Sequence, residues 1–549
     1  MLSRIGYAEI DVLKAIPENM QPLGEFLGMD VIEYIQRKEK YDDQDFIEQL
    51  RQFKVSRSLG LIGSMGHDLL VTKGAKYVEG VPVQEAPLAY IAMRLIEESN
   101  DEPQREMMAS DIATLVDHYM GKIESFAKEV KGPELVRMMG GAQFDFNSAV
   151  AYEMARTILI YEQIWPTIPE GRQLDINELL VRETGLELGQ LFTFGYLFFV
   201  ASKRGYVSHL PLEGVEGSKL EANFGVSRES EQKFIDWIST DYESFRKLTR
   251  PMRDKLDRQH EPFRFNPLVI YPIVRSDLSP MDDHSQGYLV PVPQLLSDRV
   301  TKGLYYVMSE PYKHQKGNSF RNAFGKVFEV YVGRLLDAAL GKFALIKPEM
   351  RYGPSHKPGR CPDWFVIQDG TAVVIEVKQA GLYRDAKLFG KTEDIQRDIT
   401  QNISEAIAQF VSFSENISKY PELDEFRRIR HWEHVIVTFD PIYFPNSLLK
   451  SDIQSVLSQM GIVVPNHFHY HIMSVQALES VLGISNIHLF GLLRKKRNNP
   501  YYESMDVSEY LKKISSSDSP KNTLLSKTFD DWANNFTIAF SELDNRADA

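Results

Sequence analysis

Cysteine is almost absent from this chain: Cys361 is the only one in 549 residues. No disulfide can form within it, and a reducing, cytoplasmic setting is expected. Long apolar runs are missing too. The longest, LFTFGYLFFVA over 191–201, is about half of the roughly 20 residues that a membrane span needs, and it reads as a buried helix. The opening MLSRIGYAEIDVLK scatters its charges and lacks the basic start, apolar middle and small-residue cleavage site of a signal peptide. There is no repeat period, heptad array or low-complexity block. Positive charge is in deficit, with 63 Lys and Arg against 76 Asp and Glu and a net charge of −13. That balance excludes a uniformly basic nucleic-acid binder, while local basic patches or metal ions remain able to meet phosphates.

What is present is ordinary globular composition, 43% hydrophobic and 25% charged, in a chain long enough for two or three domains. Helical spacing prevails from about 85 to 260, in AYIAMRLIEE, NSAVAYEMARTILIYEQIW, ELGQLFTFGYLFFVASK and SEQKFIDWISTDYESFRKL. Pro267, Pro272, Pro280, Pro291 and Pro293 then break a segment into short extended runs. Beyond it the order changes. Asn318 or Ser319 can cap a helix through FRNAFGKVFEVYVGRLLDAAL. FALIKPEMRY, PDWFVIQ and TAVVIEVK follow as three strands, the last two joined by Asp369-Gly370, a strong hairpin-turn pair. Thr392 caps a second helix, and HVIVTFD over 434–440 reads as a buried strand. FHYHIMSV is a candidate strand, followed by a helix at QALESVLG, basic LLRKKRNNPYY and an amphipathic end near FDDWANNFTIAF.

The hairpin carries the chemistry. A two-residue turn pairs Gln368 with Thr371, and pairing outward sets Asp363 opposite Glu376. Directly opposed side chains share a face with Cβ atoms about 4.5–5.5 Å apart, and Lys378, two residues on, points to that face. Two carboxylates in an apolar sheet are costly unless compensated. A hard divalent cation compensates them and leaves coordination positions for a scissile phosphate and a water. Lys378 would hold or deprotonate that water, or offset phosphate charge. The plainer alternative is a strand-end salt bridge. On the preceding helix Glu329, with Gly325 and Gly333 one turn to either side, is a third candidate ligand, direct or through water, against the plain reading of a solvent-facing glutamate.

These residues resemble the PD-(D/E)XK nuclease superfamily. Pro362-Asp363 and Glu376-Val377-Lys378 match its naming motif, the order of elements from about 318 to 440 matches its core, and FGKVFE ending in Glu329 is similar to the helix that often supplies another acid. The resemblance implies an α/β chain with a restriction-endonuclease-like αβββαβ core preceded by a mainly α-helical region. It implies catalytic Asp363, Glu376 and Lys378, metal ligands Glu329, Asp363 and Glu376, and Mg²⁺ as cofactor, with Mn²⁺ able to substitute. The expected activity is phosphodiester hydrolysis on nucleic acid, DNA rather than RNA, in bacterial defence against phage or foreign DNA. A sequence-specific restriction endonuclease and a catalytically silent nucleic-acid-binding or assembly protein are the alternatives. Some of these families add a glutamine on the helix after the third strand, and Gln396, Gln401 and Gln409 all lie there.

Residues 1–265 are thus expected to form a helical region that senses, binds a partner or self-associates, with no membrane involved. Residues 266–317 are a Pro-rich connecting segment and helix, 318–445 the nuclease core, and 446–549 an α/β extension. Weaker signals fill in the rest. Gly60, Gly63 and Gly66 in GLIGSMG lack the Lys-Ser/Thr ending of a phosphate loop and read as a turn between helices. His467, His469 and His471 alternate, so a strand would set three imidazoles on one face, either as a zinc site or as a polar face. Arg494, Lys495, Lys496 and Arg497 beside Tyr501 and Tyr502 form a basic-aromatic cluster, suited to nucleic acid or simply a solvated helix end. Lys387 and Lys391 can approach a phosphate or stay in solvent. Cys361 reads as a small buried residue without a catalytic role.

Overall fold

The computed structural model describes residues 43–72, 76–103, 105–129, 150–210, 212, 214–253, 264–276, 287–312, 319–356, 358–379, 392–441, 446–465, 468–485, 487–503, 505–514 and 521–541. Lys387, Lys391, His467 and Asn318 lie outside them. The architecture is α/β, with helices dominating the N-terminal region.

In that region α1 (Val55–Thr72) and α2 (Glu85–Glu98) pack around one core cluster. Helices α3 (Val150–Thr157) and α4 (Leu188–Ala201) belong to a second. The GLIGSMG glycines lie inside α1 and make no turn. Their smallness serves close packing instead: a Cβ on Gly63 would sit 2.2 Å from the Val290 carbonyl oxygen. SEQKFIDWISTDYESFRKL is likewise not one helix, since Ser239 turns extended at φ −115°. That break creates the second strand of a four-stranded sheet made by β1 (Tyr206–Val207), β2 (Ser239–Asp241), β3 (Ile273–Ser276) and β4 (Gly287–Leu289), in the order β1-β4-β3-β2. The Pro-punctuated stretch therefore supplies two strands, and then α5 (Pro293–Val300), all of whose residues are buried.

Helix α6 (Ser319–Leu340) buries Phe320, Phe324, Val327, Phe328, Tyr331, Leu335 and Leu336, the i, i+3/i+4 stripe of an amphipathic helix. After it, β5 (Leu345–Pro348) and β6 (Arg351–Tyr352) replace the single strand expected over 343–352. The break follows Pro348, which has no N–H to extend a ladder. Next come β7 (Gly359–Arg360), β8 (Trp364–Gln368), β9 (Thr371–Lys378), α7 (Thr392–Asn416), β10 (His431–Thr438) and β11 (Tyr470–Ser474). Helices α8 (Val475–Leu482), α9 (Leu489–Arg497) and α10 (Thr523–Ser541) are among those of the C-terminal part.

The principal sheet is five-stranded and mixed, ordered β11-β10-β9-β8-β5, antiparallel across β5, β8 and β9 and parallel across β9, β10 and β11. Its central strands β9 and β10 are buried on both faces, as their near-continuous apolar runs require, while the edge strand β5 is largely exposed. Val373, Ile375, Val435 and Val437 pack with α6 and α8. Phe365, Val374, Ile436 and Ile472 pack with Ile403, Ile407 and Phe410 of α7.

Candidate active site

Asp369 (φ 49°) and Gly370 (φ 73°) both adopt the left-handed backbone that a two-residue hairpin turn needs. The register runs from Gln368↔Thr371 to Trp364↔Ile375. One step further, Asp363 faces the Glu376 position, and the Val377 N–H donates to Asp363 Oδ2 at 2.7 Å. Lys378 Nζ donates to Glu376 Oε1 at 2.8 Å. Glu376 is 3% exposed, and its other oxygen, Oε2, is buried with no hydrogen-bond partner among the described residues. Asp363, Glu376 and Lys378 share the parity of Phe365 and Val374, so they lie on the α7 side of the sheet.

Burial pushes the Asp363 carboxyl well above its ordinary range, and the charges of Glu376 and Glu329 push it further. Burial likewise raises Glu376, against the opposing pull of Lys378. For Lys378 burial acts downward, but Glu376 and Asp363 outweigh it and the ammonium is held above its ordinary value. Two adjacent carboxylates, Asp363 half-buried and Glu376 buried with an orphaned oxygen, form an all-oxygen donor pair suited to a hard cation.

Glu329 stands at the edge of this pair. Its carboxylate pairs with Lys326 at 2.6 Å, and its carbonyl oxygen accepts from Trp364 Nε1 at 2.9 Å. The space at Gly333 is filled by the Trp364 ring, which would lie 2.1 Å from a Cβ there. Gly325 is open, with Gln379 Oε1 3.7 Å from the position of a Cβ. Among the described residues, no three His, Cys, Asp or Glu side chains are gathered closely enough to hold an ion. The structure thus joins Asp363 and Glu376 with Lys378 and leaves Glu329 to act on them through its charge.

Of the three glutamines on α7, Gln409 approaches the site, its Nε2 donating to the Cys361 carbonyl oxygen at 2.9 Å, two residues before Asp363. Gln401 bonds Glu405 on the exposed face. The side chain of Gln396 is outside the description. Cys361 is fully buried and its thiol is pushed up to about 12, chiefly by burial, which leaves it inert.

Among the described residues, neither the histidines nor the basic cluster keeps the arrangement that its spacing suggests. β11 begins at Tyr470, so His469 precedes it, and His471 turns inward with Nε2 3.2 Å from Glu433 Oε2. Of the four cations on α9, Lys496 is fully buried and donates to the Glu503 carbonyl oxygen at 2.9 Å, and Arg497 pairs with buried Glu433 at 3.0 Å. Only Arg494 and Lys495 remain exposed.

Two features near the site have no sequence signature. Gln379, next to Lys378, donates through Nε2 to the Tyr305 hydroxyl at 3.1 Å. Deeper in, Arg156 of α3 reaches Glu479 of α8 at 2.6 and 2.7 Å, and Tyr331 of α6 donates to the same carboxylate at 2.6 Å. This buried group fixes α6 two residues beyond Glu329.

No family model matches this chain, and no curated protein or solved structure matches it either. Among the described residues, no helix is long and apolar enough to cross a membrane.

Proposed function

We propose that this chain is a metal-dependent nuclease that hydrolyses phosphodiester bonds in DNA. The observation that carries the proposal is the opposition of Asp363 and Glu376 in the hairpin, with no partner for Glu376 Oε2 among the described residues and Lys378 alongside. The succession α6, β5, β8, β9, α7, β10 supports a restriction-endonuclease-like core. A role in defence against phage or foreign DNA rests on the resemblance to the PD-(D/E)XK superfamily alone.

Asp363 and Glu376 would hold Mg²⁺ or Mn²⁺, which when bound supplies Lewis-acid polarisation of a phosphate and a more acidic water. The Val377 N–H fixes one Asp363 oxygen and leaves the other free to face the site. Lys378, which donates to Glu376 Oε1, would hold or deprotonate the attacking water, or offset phosphate charge. Glu329 adds negative potential that favours a cation, and Gln409 steadies the Cys361–Asp363 turn.

The test incubates the purified chain with supercoiled, linear and single-stranded DNA and with RNA, in Mg²⁺, Mn²⁺ or EDTA, beside Asp363→Ala and Lys378→Ala. Cleavage of DNA should require the cation and fall by about 10³-fold or more in either variant. Cleavage that survives both substitutions would overturn the site. Failure to cut any substrate would favour a silent assembly protein.

A further inference from the structure

The two-stranded ribbon β6–β7 stands immediately before Asp363 in the chain and sets Arg351 directly opposite Arg360. The register is well held. The Tyr352 ring lies over Gly359, where a Cβ would come within 2.5 Å of it, and packs at a tilt against Tyr420, 5.2 Å between ring centroids. Gly353 turns with φ 80°, and the Cys361 N–H continues the pairing to the Met350 carbonyl oxygen at 2.9 Å.

Opposed residues in an antiparallel pair share a face, and like charges there repel. One of the two is compensated: Arg360 Nε meets Glu349 Oε1 at 2.6 Å and its Nη2 donates to Oε2 at 3.1 Å. Arg360 also feels the charges of Glu329 and Asp363. Arg351 is exposed, and among the described residues its side chain makes no hydrogen bond or ion pair. In a chain of net charge −13, a rigid ribbon presenting two guanidinium groups on one face is a local exception. Guanidinium is the side chain whose planar fork matches phosphate oxygens. Asp363 comes three residues after Arg360, a span of about 10 Å or less. That is about the axial rise of three nucleotides along a strand, at 3.4 Å each.

We infer that the Arg351–Arg360 face is a backbone clamp for duplex DNA, gripping phosphates within about three nucleotides of the bond presented to Asp363 and Glu376. This rests on the nuclease reading for its choice of DNA, but its test does not depend on cleavage.

Binding of the full-length chain to a labelled DNA duplex is measured by fluorescence anisotropy in EDTA, across a range of salt concentrations. Each neutralised phosphate contributes about 0.9 to the slope of log affinity against log salt. Arg351→Ala should lower the slope by that amount and weaken binding about fivefold at 0.15 M salt. Arg351→Glu should weaken it further, and Arg351→Lys should keep the slope. Lys247→Ala, on the helix Tyr242–Arg253 of the N-terminal region, serves as the control. A wild-type chain that does not bind the duplex, or binds only RNA, overturns the clamp. So does an Arg351→Ala slope equal to wild type, even in a chain that cuts DNA, in which case the nuclease reading survives. Loss of slope in a chain that cuts nothing establishes the clamp and removes the nuclease reading.

Discussion

Val377 donates its backbone N–H to Asp363 Oδ2 at 2.7 Å, across the hairpin and past the last paired residues of β8. The bond pins the first candidate ligand to the strand that carries the second, so both carboxylates depend on one register.

The charge state of that pair should be visible in stability. Burial raises both carboxyls, and an acid raised on folding binds more protons folded than unfolded. Its stability is fullest below the ordinary carboxylate range of about 4 and declines as the pH climbs through that range towards the raised values. In EDTA near pH 8, Asp363→Asn should therefore melt a few degrees above wild type, on the order of 1 kcal/mol. Mg²⁺ should raise the melting temperature of wild type and leave the variant unmoved. Identical pH profiles for the two proteins in EDTA would refute this.

Register should matter as much as residue identity. Inserting one residue into the Asp369-Gly370 turn moves Asp363 to the opposite face from Glu376. Cation-dependent cleavage should fall to background while circular dichroism retains most of the helical signal, and an insertion variant that still cuts normally would refute the hairpin site.

Gly333→Ala should destabilise the chain by about 1–3 kcal/mol through overpacking. The new Cβ would lie 2.1 Å from the Trp364 ring, whose Nε1 is held by Glu329. Urea unfolding of the single variants and of the double variant with Trp364→Leu would show the coupling, since the smaller side chain should recover most of the loss.

Gln409→Leu should lower kcat by about 10-fold or more, as supporting contacts to ligand segments commonly do, with little change in KM. The reason is that Gln409 holds the Cys361 carbonyl and not the substrate. A change confined to KM would place Gln409 against DNA instead.

Arg497→Ala should cost about 3 kcal/mol, because it leaves buried Glu433 without its cation. DNA affinity should be unchanged. A normal melting curve with weakened binding would restore α9 as a nucleic-acid surface.

The hairpin was legible because its determinants are local. Asp369-Gly370 sets the turn, the turn sets the pairing, and period-two alternation sets the face on which Asp363, Glu376 and Lys378 meet. The stripe of α6 was legible for the same reason. Elsewhere a short motif met a distant neighbour. Gly60, Gly63 and Gly66 look like a turn in isolation, yet they lie in a helix because Val290 and Gly205 press against its backbone. Lys496 and Arg497 look solvated, yet Glu433, more than sixty residues earlier, draws Arg497 inward.

Residue order alone settled the element types around the hairpin and the face shared by its ionisable groups, since turn chemistry and side-chain alternation act over a few residues. Folding settled which charges distant groups keep company with: Arg497 paired with Glu433, Arg156 with Glu479, and Glu376 Oε2 left without a partner among the described residues. Burial and electrostatic partnership depend on segments far apart in the chain, and no local pattern encodes them.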